Sequence, residues 1–395
     1  MHKIILALVF TLFVSAPLAA QESQLTLRLL LSKIESLQSE VNSLKEELAT
    51  LKGTKEQQAV LDEKPAISHT TEHTKPEFNL TGDLVGSMST LESGEELSRD
   101  DFALREAELE FEAHIAPDIE AVGIFAHDGD NFAVEEVYLE FAESNRRPEF
   151  KLGKFKAKLG LLNQWHPHAW PQVDASFVHQ YIAFNADLIG AGLSAEVTTR
   201  KVIGDETAFT FQIMYPDDSE RAVAPAMEAL FSANEEDTPI KLARLQSKWT
   251  KAQQEIQIGV SSAWGHSDPQ QRYEARLYGL DFTLECEDRF LLRGEWFRLE
   301  EEQGGPQEVD RSGYYLYAEK QITEKSLAGL RWDKTDFREQ ANLEAKGLSP
   351  YFTFWQNEQI RYRLQYTREE RSDGVDDSRL LFQKTFSLGH HEHDH

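Results

Sequence analysis

Three histidines and one aspartate in a single segment could together bind a metal ion. His166 and His168 flank Pro167, whose fixed φ holds this part of the backbone extended. Asp174 and His179 follow within the same segment. Imidazole and carboxylate donors in such a set suit a borderline metal such as zinc. The alternative is that these side chains form hydrogen bonds within the folded segment and bind no metal.

A second candidate metal site lies at the C-terminus, in the histidine-rich tail of residues 389–395. Two carboxylates, Glu392 and Asp394, are interspersed with its imidazoles. The histidines are His390, His391, His393 and His395. A tract of this kind binds divalent metal, and the alternatives are a purification tag or a polar tail without a role. Zinc is therefore the metal that we consider, and no cofactor is required.

Charged side chains recur at every second position in two places. The acidic set is Glu106, Glu108, Glu110 and Glu112, and the basic set is Lys154, Lys156 and Lys158. On a strand, this spacing places each set on one face. In a membrane barrel a charged face has to turn to the lumen, because charges that face lipid are costly. Both sets are therefore predicted to line a pore and to tune ion passage, although any water-filled barrel needs a polar interior.

The segment 160–186 lies between two predicted strands and is too apolar to extend into water. It contains Asn163, Trp165, Trp170 and Asp174 in addition to the three histidines. We expect this segment to fold into the mouth of the barrel and to narrow it.

The charge balance and the motif content exclude several classes of function. The 395-residue chain carries a formal net charge of -27. This charge disfavours nucleic-acid binding, because phosphate contacts need clustered Lys and Arg. The sequence has no G-x-S-x-G, no Walker loop, no G-x-G-x-x-G opening a helix and no H-E-x-x-H. The chain is therefore not expected to be an enzyme.

Alternation of polar and apolar residues predicts strands from residue 78 to residue 388. In residues 103–115, small and apolar side chains occupy one face, interrupted by Arg105, whereas four glutamates and a histidine occupy the other. Alternation over this length suits a tilted membrane strand. About 16 such runs predict an all-β transmembrane antiparallel β-barrel. A soluble β-sandwich or propeller is the alternative.

The part of the chain that precedes the predicted barrel divides into three. Residues 1–20 have the form of a secretory signal peptide, with an uncleaved membrane anchor as the alternative. Residues 21–53 carry a and d positions over four heptads, which predicts a short coiled-coil helix. A lone amphipathic helix is the other interpretation of that pattern. Residues 54–77 have no apolar period and are predicted to be a linker.

Residues 151–178 resemble known outer-membrane barrels. Residues 151–163, KLGKFKAKLGLLN, are similar to a strand of the phosphate-selective porin O and P-like barrels. The motif His166-x-His168-Ala-Trp170, followed by Val173-Asp174-Ala175, resembles barrels known as zinc-regulated outer-membrane receptors. The resemblance implies a porin-like barrel that is induced under metal limitation. The chain departs from an energised receptor because residues 21–77 are too few for a plug domain, and its acidic character disfavours phosphate selectivity.

These features predict an outer-membrane channel for the passive diffusion of small solutes or ions, linked to zinc. Its expected partners are outer-membrane lipid and further copies of the chain. A trimer is favoured because coiled-coil leaders precede some trimeric porins, and the coiled coil would lie in the periplasm. Two alternatives remain open. The barrel could be a non-conducting metal-binding receptor, or it could anchor a periplasmic coiled-coil tether.

Overall fold

A computed structural model describes the structure from residue 76 to residue 389, with gaps. The described residues are 76–90, 101–141, 148–183, 188–217, 230–231, 238–267, 273–286, 289–302, 308–338, 340 and 342–389. The predicted signal peptide, coiled coil, nearly all of the linker, and the tail histidines lie outside these residues. Among the residues that are described, no helix is long and apolar enough to cross a membrane.

Sixteen strands make up most of the described chain and close into one antiparallel barrel. They are β1 (Glu77–Ser89), β2 (Asp101–Ala116), β3 (Ile119–His127), β4 (Phe132–Phe141), β5 (Glu149–Lys156), β6 (Ile189–Arg200), β7 (Glu206–Pro216), β8 (Ile240–Lys251), β9 (Gln254–His266), β10 (Glu274–Cys286), β11 (Phe290–Glu302), β12 (Glu308–Thr323), β13 (Ser326–Asp336), β14 (Glu344–Asn357), β15 (Ile360–Arg371) and β16 (Asp376–Leu388). Each strand pairs with the next along the chain, and β16 pairs with β1, where Leu388 lies opposite Leu80. Closure removes the free strand edges, and the predicted all-β antiparallel barrel of about 16 strands is confirmed.

The alternation of residue types predicts individual strands, among them 149–159, 312–321 and 349–356, and these three differ in extent in the structure. The predicted strand at 312–321 begins four residues earlier, at Glu308, and the one at 349–356 begins at Glu344. The early part of β14 contains Ala345 and Gly347, small residues that give a weak apolar signal. In contrast, β5 ends at Lys156 instead of residue 159, because there the chain turns away from the wall.

The strands alternate between a polar inner face and an apolar outer face. In β7, Phe209, Phe211 and Ile213 are exposed on the outside, whereas Thr210 and Gln212 between them are buried. The same pattern places Phe352 and Phe354 of β14 outside. Exposed apolar side chains recur in this way on most of the strands and form an outer belt, which is the surface that a barrel presents to hydrocarbon.

The connections between strands differ at the two ends of the barrel. Turns of two residues occupy one rim, at 117–118, 252–253, 324–325 and 358–359. The strand ends that the long connections join, at 90–100, 157–188 and 217–239, lie at the opposite rim. Short turns at one rim and long loops at the other are typical of outer-membrane barrels.

The barrel interior contains a hydrophobic core on one side. Phe155, Met214, Leu242, Phe297 and Leu299 point inward from β5, β7, β8 and β11, and all are almost fully buried. Apolar side chains of the 157–188 connection complete this core: Val178, Ile182 and Leu188. The inner wall is therefore largely apolar where Val178, Ile182 and Leu188 pack on it, and many charged side chains line it elsewhere.

The apolar belt predicts a depth-dependent cost of charge. Val260 lies midway along β9 and is 52% exposed, whereas Ile256 lies near the short turn and is 39% exposed. In a lipid bilayer, Val260→Arg is expected to lower the free energy of unfolding by about 2–4 kcal/mol, and Ile256→Arg by about 0–1 kcal/mol. Reversible urea unfolding in lipid vesicles measures both. Equal costs at the two positions would contradict a hydrocarbon belt centred on the middle of the strands.

Candidate functional site: the inserted loop and the inner wall

Residues 157–188, which we call the inserted loop, run through the interior of the barrel. Residues 184–187 of this loop are outside the described part. The loop contains two short 3₁₀ turns, Leu162–Gln164 and Pro167–Ala169, and one π-helical turn, His179–Ala183. It leaves the wall at β5 and contacts β13, which is eight strands away in the ring of sixteen. The loop therefore reaches the diametrically opposite side of the barrel.

Glu295 of β11 and Asn163 hold the base of the inserted loop. The two carboxylate oxygens of Glu295 accept the N–H groups of Leu161 and Leu162, at 2.5 and 3.2 Å. Gly160 has φ +65° and lies against Glu295, so that a Cβ atom on it would be 2.0 Å from Glu295 Oε1. A side chain at position 160 would therefore displace the loop. The Asn163 amide donates to the carbonyls of Ala157 and Leu188 and accepts the N–H of Leu188. Asn163 thus ties the two ends of the loop together.

Three arginines of the wall bind carbonyl groups in the middle of the inserted loop. Arg105 of β2 donates to the carbonyls of Pro167 and Val173, at 2.8 and 2.5 Å. On β15, Arg363 donates to the carbonyls of Trp170 and Gln172, and Arg361 to that of His168. Carbonyl groups buried without partners would cost free energy, and these charged donors satisfy them.

A buried ion-pair network holds the far part of the inserted loop. Asp174 accepts from Gln365 and lies 2.9 Å from the guanidinium of Arg331, which is fully buried. Arg331 also pairs with Asp333 at 2.7 Å, and Asp333 accepts the N–H of Phe177 at 3.0 Å. A buried guanidinium is stable only when such partners surround it. Asp174, which the sequence assigned to a constriction, therefore connects the loop to β13 and β15.

His166 and His168 face the acidic side of the wall. The Nδ1 atom of His166 lies 3.1 Å from Glu108 Oε2 and 2.9 Å from Glu135 Oε2. Its Nε2 atom lies 3.0 Å from Glu136 Oε1. Burial opposes the charged imidazolium, yet the carboxylates of Glu108 and Glu136 prevail and raise the pKa of His166 to about 8. His168 Nδ1 lies 3.2 Å from Glu106 Oε1.

His179 lies against another wall and is not grouped with the other two histidines. Its Nδ1 atom is 2.7 Å from the hydroxyl of Ser176, and its Nε2 atom is 3.6 Å from Glu295 Oε2. Its ring packs on Phe297 and Tyr315. Burial and the positive charge of Arg331 lower the pKa of His179 to about 3. The three histidines therefore do not form the single ligand set that the sequence suggested.

The acidic set and the basic set of side chains, both predicted to line a pore, differ in where they lie. Glu106, Glu108 and Glu110 of β2 are all buried, and Glu112 is half-buried. They face inward, and the inserted loop covers Glu106 and Glu108 through His166 and His168. Whether these side chains line an open pore remains a prediction.

The basic set, Lys154, Lys156 and Lys158, does not lie on one face of a strand. Lys154 lies opposite Val137, which is 45% exposed on the outside, and its ammonium contacts the carbonyl of Val134. Lys156 is buried and binds the carbonyl of Trp165. Lys158 follows the strand and pairs with Glu196 at 2.6 Å. The alternation predicted for 154–158 fails because β5 ends at Lys156 and the chain enters the barrel.

A cavity of about 400 Å³ remains between the inserted loop and the rim of short turns. Trp165 and Pro171 of the loop form one side of it. Arginines dominate the charged part of the opposite side: Arg289, Arg293, Arg361 and Arg363, with Glu285 and Glu319. Arg361 and Arg363 were not predicted as site residues, although their alternation with Tyr362 and Leu364 marks them as inward-facing.

Comparisons with known proteins agree with this architecture. No protein-family model matches the chain. An uncharacterized protein of Aquifex aeolicus strain VF5 is 25% identical over 351 residues, which cover 76% of this chain and 71% of that protein. Among solved structures, the anion-selective porin of Comamonas acidovorans matches with a TM-score of 0.58 at 9% identity, covering 80% of this chain and 99% of that chain.

Two further structures are similar at the same level. A loop-deletion mutant of OmpT, an outer membrane protein of Vibrio cholerae, has a TM-score of 0.53 at 10% identity, covering 79% of this chain and 99% of that chain. The outer membrane channel DcaP of Acinetobacter baumannii has a TM-score of 0.51 at 10% identity, covering 80% and 96%. At these identities the likeness shows the fold, which is that of porin-type barrels.

The lowered pKa of His179 predicts acid sensitivity of the inserted loop. The folded pKa is about 3 and the ordinary value is 6.5, so the unfolded chain binds the proton first as the pH falls. Stability is therefore expected to decrease between pH 6.5 and pH 3, by up to about 1.4 kcal/mol per pH unit. Glu295, Tyr315 and Arg331 face this imidazole from β11, β12 and β13.

Urea unfolding followed by tryptophan fluorescence, at pH 7 and at pH 5, measures this loss. His179→Gln cannot take up the proton and should lose less stability between the two pH values. The carboxylates of the barrel titrate in both proteins, so their contribution to the change in stability cancels in the comparison. The same pH dependence in both proteins would contradict a neutral buried His179.

Proposed function

We propose that this protein is an outer-membrane channel for the passive diffusion of small solutes or ions, in which the inserted loop forms the constriction. One observation carries the proposal. A closed barrel with an apolar outer belt contains a loop that is fixed across its polar interior. A narrowed and polar passage of this kind selects solutes by size and charge.

The charges beside the cavity suggest the selectivity of such a passage. Arg289, Arg293, Arg361 and Arg363 outnumber Glu285 and Glu319 along the cavity. The loop covers Glu106 and Glu108, so these carboxylates lie behind it. We therefore infer that anions enter more readily than cations from the rim of short turns. The similar barrel from Comamonas acidovorans is described as anion-selective, which supports this direction.

The location and the assembly of the chain are part of the same proposal. The predicted signal peptide and the apolar belt suit export to a Gram-negative outer membrane. The heptads of residues 21–53 would join copies of the chain in the periplasm, with a trimer favoured. One structure of OmpT from Vibrio cholerae, similar to this chain at a TM-score of 0.51, is described as a trimer form.

A link between the channel and zinc is also part of the proposal. Support comes from the resemblance of residues 151–178 to phosphate-selective porin O and P-like barrels and to zinc-regulated receptors. His166 and His168 would be the contacts of the loop with a metal ion, and the tail histidines would form a separate site. Neither metal contact is required for a diffusion channel.

Single-channel recording of the refolded full-length protein in a planar lipid bilayer tests the channel function. Discrete conductance steps are expected, with a reversal potential in a potassium chloride gradient that favours chloride. Folded protein that gives no steps would refute the channel. A potential that favours potassium would refute the inferred anion preference while leaving the channel intact.

A variant of the inserted loop tests which element sets the conductance. Trp165 lies at the cavity with the guanidinium of Arg293 4.9 Å from its ring. Trp165→Ala removes this ring and is expected to raise the single-channel conductance, because the passage beside the loop widens. Trp332→Ala is the matched control, since Trp332 is 46% exposed on the outer face. Unchanged conductance in Trp165→Ala, or an equal change in both variants, would contradict a constriction at the loop.

A further inference from the structure

Four acidic and imidazole side chains converge at the contact between the inserted loop and the wall. Glu106 and Glu108 come from β2, Glu135 from β4, and His166 from the loop. One donor atom from each lies within 4.8 Å of the other three, and all four residues are buried. No other group of three or more such donors was found among the described residues.

The strand geometry explains why the carboxylates meet. Glu106 and Glu108 share a face of β2 because they are two residues apart. On β4 the register shifts, since Ile124 pairs with Glu136 but Phe125 pairs with Val134. Glu135 is the extra residue of this bulge, and a bulge lets two successive side chains turn to the same side. Glu135 and Glu136 are accordingly both buried.

The hydrogen bond of His166 fixes which ring nitrogen faces the cluster as an acceptor. Glu136 accepts the N–H of Lys156 through Oε2 and lies 3.0 Å from His166 Nε2 through Oε1. A carboxylate accepts, so Nε2 of His166 is the donor and the lone pair of the neutral ring lies on Nδ1. A carboxylate that orients the far nitrogen of a histidine in this way is the usual outer partner of a metal-bound imidazole.

When the ring is neutral, two acceptor atoms therefore face each other. His166 Nδ1 and Glu108 Oε2 are 3.1 Å apart, and neither forms a hydrogen bond. Glu108 is 2% exposed and His166 is 6% exposed. Lone pairs at this separation in a buried site repel each other unless a cation lies between them. The cation is either a proton on Nδ1 or a metal ion, and the carboxylates of Glu106 and Glu135 add further donors to the same point.

We propose that Glu106, Glu108, Glu135 and His166 bind one divalent transition-metal ion, which fastens the inserted loop to β2 and β4. An imidazole with carboxylate oxygens suits zinc and its neighbours in the first transition series. The ligand set differs from the one expected from the sequence, since it takes one histidine and three glutamates. The effect of the ion on conductance rests on the proposed channel function, whereas binding of the ion does not.

Titration of the refolded full-length protein with Co²⁺ in detergent micelles tests the site. The tail histidines His390, His391, His393 and His395 are replaced by alanine, so that the tail does not bind the probe. One equivalent of Co²⁺ per chain is expected, with visible d–d absorption, and Zn²⁺ should displace it. Folded protein that binds no stoichiometric Co²⁺ would overturn the proposal.

Three variants in the same background locate the binding. Glu108→Gln should weaken Co²⁺ binding at least about tenfold. Glu136→Gln, which leaves the four proposed ligands in place and changes the partner of His166 Nε2, should weaken it by roughly 10–100-fold. Glu140→Gln, on the same strand as Glu135 but paired with Lys151 at 2.8 Å, is the matched control and should bind as the parent does. Full binding by Glu108→Gln, or equal loss in all three variants, would overturn the site. Circular dichroism shows which variants are folded.

Bilayer recording separates the site from the channel function. A decrease in conductance noise or amplitude on adding micromolar Zn²⁺, absent in Glu108→Gln, is expected when the ion fixes the loop. Conductance steps in a protein that binds no Co²⁺ would leave the channel intact and overturn the metal site. Stoichiometric binding in a protein without steps would support the site and refute the channel.

Discussion

A chain segment that leaves water has to find hydrogen-bond partners for its peptide groups, and this constraint governs the interior of the barrel. The inserted loop satisfies part of its peptide groups within its own turns and takes the other partners from side chains of the wall. Glu295 and Asp333 accept its N–H groups, and Arg105, Arg331 and Arg363 donate to its carbonyls. The charged residues of the inner wall therefore have a structural use that is independent of any solute.

The same constraint explains why the barrel interior has an apolar side and a charged side. On the side of β7 to β12 the wall supplies apolar side chains, which pack on Val178 and Ile182 of the loop. On the side of β1, β2 and β13 to β16 it supplies charges, which bind the loop backbone and Asp174. An apolar contact alone would leave the peptide groups unsatisfied, and charges alone would bury little hydrophobic surface. Both kinds of contact hold one loop in one position.

Much of this arrangement follows from the sequence, and the remainder depends on contacts that are distant along the chain. Alternation of residue types was sufficient to predict the barrel and the approximate number of its strands, and the aromatic content of 160–186 indicated an inward loop. The end of β5 was missed, since Lys154, Lys156 and Lys158 continue the alternation beyond the strand. The register shift that turns Glu135 inward has no signal in local periodicity. Likewise, spacing suggested that His179 would join His166, but the fold places it beside Glu295.

The central claim is that the inserted loop is fixed across the barrel, and hydrogen–deuterium exchange of the native protein tests it most directly. The N–H groups of Leu161, Leu162, Val173 and Phe177 bind Glu295, Gln365 and Asp333, which are buried. Peptides that cover 157–183 are therefore predicted to exchange much more slowly than those of the 252–253 turn, at rates close to those of the strands. Exchange of 157–183 as fast as that turn would contradict the account, because the loop would then be open to water.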